Sequence, residues 1–187
     1  MSPRYTLPYF KRSYPKQKYS NETIAFNAQV TDDLDGGINF PPPEQEGDDG
    51  GLVIVPATNI LGNRKVKNFT IKVTANGNDD QIFGALVYVP EGTKISGILC
   101  TGPTQSLYEP NQNVIATFII PPNTLRNNNS AIVAQSAPTQ IVVSNRLARN
   151  LNTGDSIKLV FSTPNGLSST DEAPVVVSGT VNFAIKY

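Results

Sequence analysis

A chain of 187 residues with one cysteine and neither histidine nor tryptophan is long enough to bury a core as one domain without disulfides. It lacks the commonest general base, the commonest transition-metal ligand and every His-dependent nucleophile arrangement, which excludes most enzyme classes; no catalytic residue, metal site or cofactor is expected. Formal net charge is zero, yet the charges are segregated: Arg4, Lys11, Arg12, Lys16 and Lys18 precede every acid, while Asp32, Asp33, Asp35, Glu44, Glu46, Asp48 and Asp49 follow with no base among them.

Residues 1–21 mix those five basic residues with Tyr5, Tyr9, Phe10, Tyr14 and Tyr19 and have neither a helical nor a strand period, so they read as an extended arm. Its cations suit phosphates and its rings suit exposed bases; the plainer reading is a ragged terminus. Met1 to Tyr19 has no apolar run of the kind a signal peptide needs. Residues 22–187 read as one folded domain. Within it, residues 31–51 carry Gly36-Gly37, Pro41-Pro42-Pro43 and Gly50-Gly51, which exclude helix and central strand and leave a long acidic loop. Asp33-Leu34-Asp35-Gly36 is half of a calcium-loop pattern but lacks the distal ligands, so a solvated loop is expected there.

After weaker strand candidates at Thr23–Val30 and Leu52–Val55, the apolar pattern becomes that of strands. Lys65 to Thr74 alternates, with Phe69, Ile71 and Val73 on one face and Thr70, Lys72 and Thr74 on the other, as a half-buried strand requires. Ile82 to Val89 is apolar at nearly every position and is bounded by turn residues, which predicts a strand covered on both faces and placed within a sheet. Further strands are predicted at Val114–Ile120, Ala131–Gln135, Gln140–Ser144, Ser156–Phe161 and Val175–Lys186. In the last, Val175, Val177, Val181, Phe183 and Ile185 share a face. Leu147 and Leu151, four apart, allow a short helical turn at Arg146–Leu151, or a plain loop. No stretch approaches 18 consecutive apolar residues, so membrane insertion is not expected.

About eight strands with several long connections predict an antiparallel β-sandwich of Greek-key or jelly-roll path, between which the pattern does not choose. Arg64, Lys65 and Lys67 form either a basic patch that supplements the arm or a solvated start of a strand. Arg146 and Arg149 suit a subunit contact or a nucleic-acid contact. The carboxylate pairs Asp79-Asp80 and Asp171-Glu172 fix no separation across a substrate bond, and no Gly-x-Ser-x-Gly elbow occurs.

Four stretches carry a resemblance in register across residues 64–156: Arg64–Thr70, Ala85–Thr93, Leu107–Ile115 and Ser144–Ser156. Together they resemble the capsid (coat) protein of small circular Rep-encoding single-stranded DNA (CRESS-DNA) viruses. The resemblance implies a single eight-stranded jelly roll and a structural role, in which copies self-assemble into an icosahedral shell around a circular single-stranded DNA genome. It implies a virion location, with a nuclear stage during assembly. It assigns the nucleic acid to Arg4, Lys11, Arg12, Lys16, Lys18, Arg64, Lys65 and Lys67, and subunit contacts to Tyr108, Glu109, Asn111, Arg146 and Arg149. The arm has fewer arginines than that family usually carries, so isolated subunits should bind DNA weakly. The alternative is a lectin-like carbohydrate-binding sandwich, whose Tyr and Asn side chains would stack on and hydrogen-bond a glycan.

Overall fold

The computed structural model describes residues 18–30, 51–98, 112–126, 132–162 and 175–187. The strands, in chain order, are β1 (Ser20–Val30), β2 (Leu52–Val55), β3 (Arg64–Asn76), β4 (Ile82–Val89), β5 (Val114–Ile120), β6 (Thr124–Arg126), β7 (Ile132–Gln135), β8 (Ile141–Asn145), β9 (Arg149–Leu151), β10 (Ser156–Ser162) and β11 (Val175–Lys186). One helical turn, α1 (Ile95–Ile98), lies between β4 and β5. Every strand pair is antiparallel, so the all-β class expected from the sequence is the class observed.

The order in one sheet is β1-β11-β3-β8, with β9 also pairing β3; the other is β2-β10-β4-β5. Leaving aside the separate β6-β7 ribbon, the chain passes from sheet to sheet so that its first and last strands are neighbours and its second and second-to-last are neighbours. This is the jelly-roll path. The strands β6 and β9 were not anticipated because three residues are too few to show a two-residue period. At β9 the helical turn suggested by Leu147 and Leu151 is replaced by pairing: Arg149, Asn150 and Leu151 lie opposite Val66, Lys65 and Arg64. Leu151 is buried there while Leu147 stays exposed, and ladder hydrogen bonds satisfy backbone groups that an isolated turn would leave to water.

Between the sheets lies the main core. Phe161 of β10 meets Phe118 of β5 edge-on at 5.9 Å and Phe26 of β1 at 6.2 Å, and Phe69 packs against Phe183 at 6.1 Å. Full burial of each such ring contributes roughly 1.5–3 kcal/mol. A second cluster of Phe83, Ala85, Val87, Val89 and Val160 occupies the outer side of the β2-β10-β4-β5 sheet and is capped by Ile95 and Ile98 of α1. That cap is why β4 is apolar on both faces, as its sequence predicts.

A β-bulge sets the phase of β3. Asn182 lies opposite Thr70 and Ala184 opposite Lys67, so two residues of β3, Asn68 and Phe69, face the single Phe183. Asn68 takes φ 57°, a left-handed angle that Asn tolerates better than most residues. The extra residue lets Val66 and Phe69, three apart, both point into the core.

Candidate functional site

The two sheets differ in what they leave open. Among the described residues, α1 packs on the outside of one, and the open face is the outer side of the β1-β11-β3-β8 sheet. Alternation and register place there Asn21, Thr23, Ala25 and Asn27 of β1; Ser178, Thr180, Asn182 and Lys186 of β11; Lys65, Lys67, Thr70, Lys72 and Thr74 of β3; and Ser144 of β8. Four lysines stand among mainly hydroxyl and amide side chains, with the exposed Val142 opposite Lys72 and no Asp or Glu at any outward position of these strands. Lys65 and Lys186 are directly opposite across β3 and β11. Like charges so placed repel, and an anion bridging them removes that cost.

The chain enters the domain at the same place. Lys67 lies over the ring of Tyr19, 3.9 Å from its centroid, a cation–π contact worth about 0.5–1 kcal/mol where exposed. It holds the residue before β1 against the lysine face. Next to it, Lys18, Tyr19, Ser20, Asn21, Lys186 and Tyr187 line an open depression of about 440 Å³. The cations of this face and the hydroxyl and amide groups beside them can hold phosphates in sequence.

Arg64 departs from the sequence expectation. It points inward, is only 7% exposed, and donates from Nη1 to the Pro56 carbonyl at 2.8 Å and from Nη2 to the Asp155 carbonyl at 3.0 Å. The cause is strand phase: Lys65 and Lys67 take the outward positions, so Arg64 must take an inward one. It joins a lock at one end of the sandwich. The buried carboxylate of Asp155 accepts from the Tyr88 hydroxyl at 2.6 Å, the Asn152 N–H at 2.7 Å and the Glu91 N–H at 3.1 Å. Burial alone would raise the Asp155 pKa; these three hydrogen bonds and the Arg64 charge outweigh it and hold the carboxyl below its ordinary value. Burial first, then the hydrogen bond to Asp155 and the Asp155 charge, push the Tyr88 hydroxyl up to about 12, against the opposing charge of Arg149. A small opening of about 170 Å³ lined by Thr58, Ile60, Leu61, Gly62, Asn63 and Tyr187 reaches Arg64, and the hydrogen bonds of the group tie β3, β4 and the turn before β10 together.

Of the remaining residues singled out in the sequence, Arg146 is exposed between β8 and β9. Arg149 is half-buried and donates through Nη2 to the Gln112 carbonyl, so it clasps the start of β5. Arg4, Lys11, Arg12, Lys16, Tyr108, Glu109 and Asn111 lie outside the described residues, as does the acidic segment. The sequence reading missed Lys186 and did not assign Lys72 a role, although it placed Lys72 on a polar face. Lys72 shares β3 with Lys65 and Lys67, whereas only the pairing of β11 with β3 brings Lys186, from the far end of the sequence, beside them.

No family model and no curated protein matches the chain. Among solved structures it is similar to a chain of Desmodium yellow mottle tymovirus, with 12% identity and a TM-score of 0.31, covering 96% of this chain and 95% of that one. It is also similar to a chain of the virus-like particle of the extra small virus of the giant freshwater prawn Macrobrachium rosenbergii, with 8% identity, a TM-score of 0.29 and coverage of 98% and 92%. A third is from the Gt strain of infectious bursal disease virus, with 13% identity, a TM-score of 0.27 and coverage of 99% of this chain but 40% of that one. These are distant likenesses, and the jelly-roll path above stands without them.

Proposed function

We propose that the chain is the coat subunit of a small icosahedral virus shell that encloses a circular single-stranded DNA genome. The observation that carries this reading is the acid-free lysine face at the point where the basic segment joins the fold. Lys65, Lys67, Lys72 and Lys186 face the shell interior, and Arg4, Lys11, Arg12, Lys16 and Lys18 extend the same positive surface toward the nucleic acid. Neutralised phosphates release counterions, so retention depends on salt. One subunit offers few charges and binds weakly; many subunits around one genome bind through effective concentration.

Self-association has its own support. Leu61 is 90% exposed and Ile60 77% in the loop after β2, and Leu125 and Val133 are each 67% exposed on the β6-β7 ribbon. Apolar surface left at both ends of a sandwich is covered when copies tile against one another. We assign Arg146, with Tyr108, Glu109, Asn111 and Arg149, to subunit contacts of this kind.

The test is expression of the full chain followed by size-exclusion chromatography, electron microscopy and measurement of nuclease-protected DNA. Uniform hollow particles that retain DNA in low salt are expected. Replacing Lys65, Lys67, Lys72 and Lys186 together by glutamine should leave particles that form but protect several-fold less DNA. A chain that stays monomeric or dimeric at high concentration under all conditions defeats the coat reading; particles whose DNA content ignores the four lysines defeat the assignment of the face.

A further inference from the structure

We infer that β1 is a two-fold docking edge, on which a second copy of this chain adds its own β1 in antiparallel register. β1 is the terminal strand of its sheet, and its eleven residues pair β11 without a register break. Its other edge has no strand partner among the described residues, so every second N–H and C=O along it points away from the sheet. Soluble proteins blunt such edges with lysine, proline, bulges, brevity, a covering loop or an inward-pointing charge, and of these devices β1 has among the described residues only the core-side Glu22. The sequence from Ser20 to Val30 has no lysine and no proline, and its one charge is Glu22. The other terminal strands are shorter: four residues in β2, seven in β5 and five in β8.

Charge chooses the second copy and the antiparallel direction. The sequence leading into β1 is basic, with Lys16 and Lys18 closest, and the sequence leaving it is acidic, with Asp32, Asp33 and Asp35 closest. A parallel neighbour would set basic beside basic and acidic beside acidic. An antiparallel neighbour sets each copy's basic lead beside its partner's acidic exit, twice over, as a two-fold axis requires. A dyad at Ala25 uses all eleven residues. It pairs Ile24 with the partner's Phe26 on the core side, an aliphatic-aromatic pairing favoured across strands, and sets Glu22 opposite Ala28 rather than against itself. On the outer side Asn21, Thr23, Ala25 and Asn27 carry no charge, so no like charges oppose one another across the joined strands. This edge contact goes beyond the shell reading and does not require it.

Cysteine cross-linking in the full chain tests the register, with Cys100→Ser as the background. On the dyad, Ala25→Cys sits opposite its own copy at an antiparallel Cα spacing of about 4.5–5.5 Å, within the range a disulfide spans. Ala25→Cys should therefore form an intermolecular disulfide under mild oxidation, at least tenfold faster than Thr180→Cys on the same outer face but one strand inward. Asn21→Cys should cross-link to Gln29→Cys in a mixture of the two variants and not to itself. Ala25→Lys, at an exposed position, should abolish the β1-linked dimer while preserving the β-sheet circular dichroism. Ala25→Cys that cross-links no faster than Thr180→Cys overturns the inference, as does a dimer that survives Ala25→Lys. If particles form without the Ala25 cross-link, the edge contact fails and the coat reading stands. If the cross-linked dimer forms and no particle ever does, the edge contact stands and the coat reading fails.

Discussion

At Asn68 one left-handed residue lets β3 bury Val66 and Phe69 on the same face while Lys65 and Lys67 both stay outside. Asn68→Gly removes the Cβ that makes this angle costly and should leave the thermal midpoint equal or slightly raised. Asn68→Val should lower stability by about 1–2 kcal/mol, because a β-branched residue is penalised in the left-handed region; urea denaturation of the two variants checks this. The lock around Asp155 makes a second prediction, in pH. Asp155 has a folded pKa below its ordinary 3.8, so its contribution is present above that value and is lost as pH falls through the folded pKa. Tyr88 is raised from 10.0 to about 12, so its contribution is complete below pH 10 and is lost as pH rises toward 12. Tyr88→Phe takes a hydrogen bond from a buried carboxylate and should cost about 1–3 kcal/mol near neutral pH. The gap between variant and parent should then narrow between pH 10 and 12; a gap constant across that window would mean the hydroxyl does not stabilise through Asp155.

Among the elements, β4 and β11 each hold a glycine that close packing requires, with different tolerance. A Cβ on Gly84 would meet the ring of Phe118, a side chain that can shift, whereas a Cβ on Gly179 would meet the backbone carbonyl of Lys72 on the neighbouring strand. Gly84→Ala should cost about 1–3 kcal/mol and be partly rescued by Phe118→Leu. Gly179→Ala should cost more, with no single side-chain rescue; equal melting temperatures for the two would contradict this packing. The sequence placed Val175–Lys186, Ile82–Val89 and Val114–Ile120 at the bounds observed: the first alternates with the two-residue period of a strand, and the other two are short apolar runs closed by turn residues. The bulge was not legible, because Asn68 becomes special only when β11 is laid beside β3. Arg64 was misread for the same reason: its neighbours are lysines, and only the phase of β3 separates one buried cation from two exposed ones.

For the whole molecule, among the described residues α1 packs on the outer side of one sheet while the outer side of the other carries four lysines and no acid, and this asymmetry makes a measurable electrostatic prediction. If the five basic residues of positions 1–18 each meet a phosphate, deleting them should flatten the log-log salt dependence of single-stranded DNA binding by about 3.5. The four sheet lysines should carry the residual slope, and filter binding from low to high salt reads both; an unchanged slope after deletion would show that the arm does not touch the nucleic acid. By itself the sequence determined the all-β class, the major strands, the separation of basic from acidic segments and the lack of His-based chemistry, because each of these depends on residue type and near-neighbour spacing. Tertiary structure alone decided which cations share a surface. Lys65 and Lys186 stand opposite each other, Tyr19 lies under Lys67 and Arg64 turns inward through strand pairing between distant parts of the chain, a relation that local periodicity does not encode.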